Sequence, residues 1–346
     1  MERRPSPRES KAAIRAVVIA ALVAIALTGP SQARGSNFCT QTALVLYDAC
    51  TDGVEDDSLV KKAICINISV SKDRTTCFGE MRDEQDEANA LCLDQRDWRL
   101  AACKSTGEGR YDPDFGPSRF DDPRSPTRPN PYFPLQVGHQ WEYRGGDEVD
   151  IVEVTNESKL IAGVGCIVVR DLVKKGGELA EATDDWYAHA KDGSTWYFGE
   201  EVKDMESFDG DVPRRPELVS IEGSFKAGRE GSKPGTIFPA IPRKGGVVVE
   251  EFSLGNAEDV TEILSTTYSF GSDPTLDDSV PRALADRLCS HDCVVTRNFS
   301  LLEPGLFARK YYARGIGVFL EVESTGETSQ LVNCSFDSRC RNLPQP

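Results

Sequence analysis

Residues 39–103 read CTQTALVLYDACTDGVEDDSLVKKAICINISVSKDRTTCFGEMRDEQDEANALCLDQRDWRLAAC, and their cysteines decide the fold of this part of the chain. Cys39, Cys50, Cys65, Cys77, Cys92 and Cys103 follow one another at separations of 11, 15, 12, 15 and 11, a palindrome centred on Ser71. At about 100° per helical residue, a step of 11 drifts by about 20° and a step of 15 by about 60°. The three cysteines of each half therefore lie on one side of a helix. Folding the chain back near Ser71 sets residue i opposite residue 142 − i in an antiparallel helical hairpin. Six cysteines have fifteen connectivities, and only the nested one brings every pair to the same level. The spacing predicts Cys39–Cys103, Cys50–Cys92 and Cys65–Cys77.

The residues between the cysteines agree with this reading. Ser69 to Thr75 supplies turn and capping residues for the tip, and Met81 to Leu93 is rich in helix formers. Gly53, among Thr51, Asp52, Glu55, Asp56 and Asp57, predicts a break and a new cap in the first helix. Paired C-x-x-C spacings are absent, so a disulfide scaffold is expected and no metal. Such a hairpin suits a stalk or docking element better than a catalytic unit.

Outward from the hairpin, residues 1–33 read as a secretory signal. Arg3, Arg4, Arg8, Lys11 and Arg15 precede an apolar run from Ala16 to Leu27, and Ser31-Gln32-Ala33 forms an A-x-A-like cleavage site. Twelve apolar residues are too few to span a bilayer, which takes about 20, and no second run of this kind follows. No membrane span is expected once the signal is removed. Eleven cysteines in an exported chain are read first as disulfides. The expected location is periplasmic or secreted.

The 346 residues carry 40 Lys+Arg against 56 Asp+Glu, a formal charge of −16. Without residues 1–33 the balance is 35 basic to 54 acidic groups, or −19. That charge excludes non-specific nucleic-acid binding, which needs clustered cations against phosphates. The 39% hydrophobic content and 15 Phe exclude wholesale disorder. The length favours two domains.

After the hairpin (34–104), residues 105–131 hold six prolines and read as an extended connector. Tyr111 and Phe115 are placed to pin part of it to a surface. From residue 132 to 346, short β-type runs separated by Gly-Gly and Asp-Gly turns follow one another without regular helices. This predicts an antiparallel β domain, an open barrel or curved meander, with Glu258 to Leu264 as one short helix. The fold class is therefore α+β. A two-residue turn at Asp192-Gly193 would pair His189 with Trp196 and Tyr187 with Phe198. One face then carries Tyr187, His189, Trp196 and Phe198, and the other Trp186, Ala188, Ala190, Thr195 and Tyr197. Two aromatic faces fit either a sheet covered on both sides or a groove for an apolar or sugar-like ligand. The four residues of the first face are the candidate groove.

Asn130-Pro131-Tyr132-Phe133-Pro134-Leu135, followed by Gly138, Trp141 and Tyr143, resembles the opening of a family of uncharacterised bacterial exported proteins. The blocks Asp185-Trp186-Tyr187-Ala188, Trp196-Tyr197-Phe198-Gly199-Glu200 and Lys310-Tyr311-Tyr312-Ala313 fit the same pattern, over most of residues 130–323. Some members carry a similar upstream cysteine-rich helical module. The resemblance implies a Cys166–Cys293 disulfide and no transferable activity. It leaves Cys289, Cys334 and Cys340, of which one would be unpaired or bonded between chains.

No G-x-S-x-G elbow, phosphate loop or dinucleotide fingerprint is present. The histidines His139, His189 and His291 form no H-x-x-x-H pair. Acidic clusters at Asp184-Asp185, Glu200-Glu201 and Asp209-Gly210-Asp211 match no twelve-residue calcium loop and read as solvated. No cofactor, metal or catalytic residue is assigned. The reading is an exported binding or interaction protein for a small ligand or an exported protein partner. The alternatives are a structural envelope protein and a hydrolase without a recognisable motif.

Overall fold

The computed structural model describes residues 37–346; the expected signal peptide, residues 1–33, lies outside them. Helices α1 (Phe38–Ile66) and α2 (Ser71–Thr106) form the hairpin, turning through residues 67–70. Cys39–Cys103, Cys50–Cys92 and Cys65–Cys77 bridge it at Cα separations of 5.7, 5.8 and 5.5 Å. The pairing is the nested one. Helix α1 runs through Gly53 without the expected break. A mid-helix glycine costs only about 1 kcal/mol, and bridges on either side of Gly53 hold the helix in place. Few side chains are buried along the hairpin; Ala43, Cys65, Cys77, Cys92, Arg99, Ala102 and Cys103 are the exceptions. Two helices cannot enclose a core, so the covalent bridges take over much of its role.

The remainder is one antiparallel sheet of fifteen strands. They are β1 (Gln140–Gly145), β2 (Glu148–Ile161), β3 (Val164–Lys175), β4 (Glu178–His189), β5 (Thr195–Glu206), β6 (Glu217–Ser220), β7 (Phe225–Lys226), β8 (Lys233–Phe238), β9 (Val247–Val249), β10 (Glu251–Phe252), β11 (Asp259–Tyr268), β12 (Cys293–Ser300), β13 (Ala308–Ala313), β14 (Gly317–Glu323) and β15 (Thr328–Cys334). A short helix α3 (Arg282–Leu288) packs on the sheet before β12. The spatial order is β10-β8-β5-β4-β3-β2-β1-β15-β14-β13-β12-β11-β9, with β6 and β7 beside β5.

The sheet nearly closes on itself. Val247–Val249 pairs with β11, and two residues later Glu251–Phe252 pairs with β8. One short segment thus bonds to both ends of the sheet. At this seam a Cβ on Gly235 would lie 1.9 Å from the Glu250 carbonyl oxygen, so only glycine lets β8 pass. Glu258 to Leu264, expected as helix, lies almost wholly within β11. Val260, Thr261 and Ile263 are buried there, and β-branched side chains favour the pleated surface.

Cys166 does not bond to Cys293, contrary to the implied pairing. Cys293 is bridged to Cys289 and Cys334 to Cys340, at Cα separations of 5.3 and 5.4 Å. Five strands separate β3 from β12 along the sheet, so Cys166 and Cys293 stand on different sides of the barrel. Cys166 is an unpaired, buried thiol, and burial pushes its pKa to about 12. Five disulfides among the described residues fit an extracytoplasmic compartment. Among those residues no helix is long and apolar enough to cross a membrane.

Residues 105–131 run over the outside of the barrel and are pinned to it. Phe120 bridges to Ala190 and packs edge-on against Trp196 and Phe198. Tyr111 packs on Phe252 at 4.7 Å between ring centroids. The hairpin is docked through a buried ion pair. Arg99 Nε and Nη2 donate to the two carboxylate oxygens of Glu258 at 2.8 and 2.9 Å.

Candidate functional site

The Asp192-Gly193 hairpin sets which side chains enter the barrel, and its register differs from the expected one. Ala190 N–H donates to Ser194 O, and Gly193 N–H donates to Ala190 O. The loop is therefore three residues, Lys191-Asp192-Gly193, with Gly193 at φ 98°. A three-residue loop with glycine in the left-handed position replaces the two-residue turn. The register moves by one: Tyr187 faces Tyr197, Ala188 faces Trp196 and His189 faces Thr195. A one-residue slip sends side chains to the other face. The four candidate groove residues are thereby split. Trp196 and Phe198 join Trp186, Ala188 and Phe120 in an outer cluster. Tyr187 points inward and stacks on Tyr197 at 4.9 Å. His189 is buried at 2% exposure, and burial lowers its pKa.

Asn130 to Leu135, the stretch carrying the resemblance, helps close one end of the barrel. Asn130 is buried and donates to Gly193 O and Pro239 O, while its own side-chain oxygen accepts from Tyr132 N–H. Tyr132 stacks on Phe238, and Phe133 packs edge-on against Tyr187. Trp141 Nε1 donates to Ile316 O at 2.7 Å. His139 Nδ1 lies 2.8 Å from Pro134 O, and its ring stacks on Phe336 at 3.7 Å. Neither His139 nor His189 lines the barrel cavity.

Beyond this plug is a cavity of about 220 Å³. Its walls include Phe133, Leu135, Tyr143, Val152, Val169, Tyr187, Ile237, Tyr312 and Val318. They also carry five carboxylates, Asp150, Asp171, Asp185, Glu250 and Glu321, against a single lysine, Lys310. A wider mouth of about 830 Å³ adjoins it, and Tyr143, Asp150, Asn298, Lys310, Glu321 and Ser329 line both. The rim adds Asp147, Glu148, Glu303, Glu323 and Glu327 against Arg144 and Lys175.

The interior acids are perturbed chiefly by loss of water. Burial pushes Asp185 and Glu250 up to about 7. Asp150 and Asp171, on adjacent strands, are both raised by burial; Asp150 raises Asp171 further, while the hydrogen bond from Asp171 partly offsets the rise at Asp150. Such a pair titrates as a unit. Glu200, Glu251 and Asp259 are raised by burial in the same way. Lys310 is raised, first by the charge of Glu321, 3.6 Å away. Glu250 accepts two hydrogen bonds from Asn298 Nδ2, at 3.0 and 3.1 Å, and Asp185 accepts one from Tyr197 OH.

Among the acidic clusters noted in the sequence, Asp184 turns outward to Arg170 while Asp185 turns in. Glu201 pairs with Lys203. Among the described residues no group of three or more His, Cys, Asp or Glu is arranged to hold a metal ion. Ser269 Oγ and His291 Nδ1 meet at 2.9 Å on exposed loops, outside this cavity.

The chain matches no protein-family model. No curated protein matches it either. Two solved structures are similar to it. One, from Bacteroides fragilis, is described as a candidate exported protein with a YMCC-like fold; it shares 12% identity over 60% of this chain and 98% of its own, with a TM-score of 0.32. The other, a candidate lipoprotein from Parabacteroides distasonis, shares 10% identity over 60% of this chain and 100% of its own, with a TM-score of 0.30.

Proposed function

We propose that the protein is an exported binding protein whose β domain (132–346) holds a small ligand inside the barrel. The helical hairpin (34–104) serves as a rigid spacer or dock, and residues 105–131 strap the two together. The observation that carries this reading is the interior itself. A cavity lined on one side by Phe133 to Leu135 adjoins a wider polar mouth, and both share Lys310, Glu321 and Asp150. A barrel interior serving only stability would be filled by apolar side chains. Here five carboxylates line a cavity, at a cost in desolvation that packing does not repay. The N-P-Y-F-P-L stretch is then the floor of the binding site.

Native mass spectrometry of protein purified from its own host tests this, set beside the denatured, non-reduced mass. A bound mass should appear in the native spectrum alone and should be lost on Val152→Phe, which narrows the cavity. A bare wild-type mass, with a stable protein partner recovered instead, would favour a structural envelope role. A bound mass that survives Val152→Phe would remove the barrel as its site.

A further inference from the structure

We propose that the ligand of the barrel is a small aliphatic amine, bound as its ammonium ion between Asp150, Asp171 and the interior tyrosines. This rests on the barrel reading above. Most charged groups of the cavity already have partners. Lys310 is engaged by Glu321, Glu250 is held by Asn298, and Asp185 is held by Tyr197. One wall pair remains. Asp150 and Asp171 hydrogen-bond to each other, and their buried Oδ1 atoms have no other partner. They sit on adjacent strands, and both line the cavity. One shared proton leaves the pair a buried negative charge with no cation hydrogen-bonded to it, and such a charge is costly.

The missing partner must bring several donors and positive charge, and an ammonium group brings both. The walls suit the rest of such a molecule. Tyr143, Tyr187 and Tyr312 line the cavity with aromatic rings, which attract cations, while Val152, Val169 and Val318 fit a short alkyl chain. An anionic ligand would meet a surplus of carboxylates, and a neutral one would leave the negative charge of the Asp150–Asp171 pair without a counter-ion. The volume of about 220 Å³ falls below the roughly 300–1,000 Å³ of drug-sized sites, so only a few heavy atoms fit. The acidic rim draws cations toward the mouth.

Without the amine, the pair keeps a proton. The charges facing it are Glu181 and Asp185 on β4, Glu321 on β14 and Lys310 on β13. Entry of the ammonium ion sends that proton to solvent, so binding tightens as pH rises while the amine stays charged. The test is calorimetric titration of n-butylamine and its neutral isostere 1-butanol into the full oxidised chain, in two buffers of different ionisation enthalpy. The amine should bind at least about tenfold tighter than the alcohol and should alone release protons. Asp171→Asn should weaken the amine by at least about tenfold and leave the alcohol unchanged. Asp150→Asn is the second variant, should the first not fold. Equal binding of amine and alcohol, or an amine affinity indifferent to both variants, would overturn the amine assignment and leave the barrel reading in place. Failure of both probes, together with a bare native mass, would remove both.

Discussion

Arg99→Met should loosen the hairpin from the barrel, and its cost follows from the geometry. The Arg99 and Glu258 side chains are 6% and 4% exposed. The guanidinium makes a two-point contact at 2.8 and 2.9 Å, and Glu258 also accepts the Gly255 N–H. Methionine keeps much of the apolar stem but removes both donors, leaving a buried carboxylate with one backbone partner. Breaking a buried pair in this way costs about 3–5 kcal/mol. The contacts that remain, Gln95 Nε2 to Leu302 O and Trp98 edge-on to Phe299, supply no charge. Guanidinium unfolding without reductant measures the loss, and hydrogen exchange along α2 and β11 locates it. Adding Glu258→Gln removes the stranded charge and keeps an acceptor for Gly255, so the double variant should recover more than half. A single variant within about 1 kcal/mol of the parent, or a double variant no better than the single, would refute the reasoning.

Four further outcomes follow from the same architecture. Phe120→Ala empties the outer cluster under the strap, and Phe120 is 6% exposed against Trp196 and Phe198; a loss of about 3–5 kcal/mol is expected in chemical unfolding. Gly235→Ala puts a Cβ into the Glu250 carbonyl at the barrel seam, so exchange protection of β8 and β10 should fall before that of β2 and β3. Replacing Cys50 and Cys92 with serine opens a ring whose shorter path runs through Cys39–Cys103 along two 11-residue arms; the roughly 22-residue ring is worth about 3 kcal/mol, read from the helical melting curve. The interior acids also give the fold a pH dependence. Asp185 and Glu250, raised to about 7, keep protons in the folded chain that the unfolded chain has released. Stability from this source is therefore greatest near pH 4 and falls as pH rises to about 7, by about 1.4 kcal/mol per unit for each retained proton. Asp185→Asn should flatten that slope.

The legible and illegible parts of the molecule differ for physical reasons. The cysteine palindrome encodes a register directly, because pairing across a hairpin needs matched spacing on both arms; all three bridges follow from it. The Asp192-Gly193 turn encodes less. The same residues fit a two- or a three-residue loop, and only the Ala190–Ser194 bond selects the latter. One residue of register then moved Trp196 and Phe198 out of the proposed groove. The Cys293 partner was read from resemblance, whereas Cys289 lies only four residues away across a short loop.

The acidic interior was hidden because adjacent carboxylates look solvated in a sequence, and in a strand every second one points the other way. Asp184 and Asp185 show this, one outward to Arg170 and one inward. A signal was present nonetheless. Asp150, Asp171 and Asp185 each lie two residues from an inward apolar or aromatic side chain, Val152, Val169 and Tyr187 respectively. A carboxylate in phase with the buried face of a strand marks an interior acid.

The most direct test of the central claim is a crystal structure of the protein with its native cargo, or with n-butylamine, in place. Density is expected in the cavity beside Asp150, Asp171 and Tyr187, above the floor formed by Phe133 and Leu135. Cargo seated instead between the hairpin and the sheet, against Phe38, Leu46 and Phe252, or a barrel holding only ordered water at saturating ligand, would contradict it.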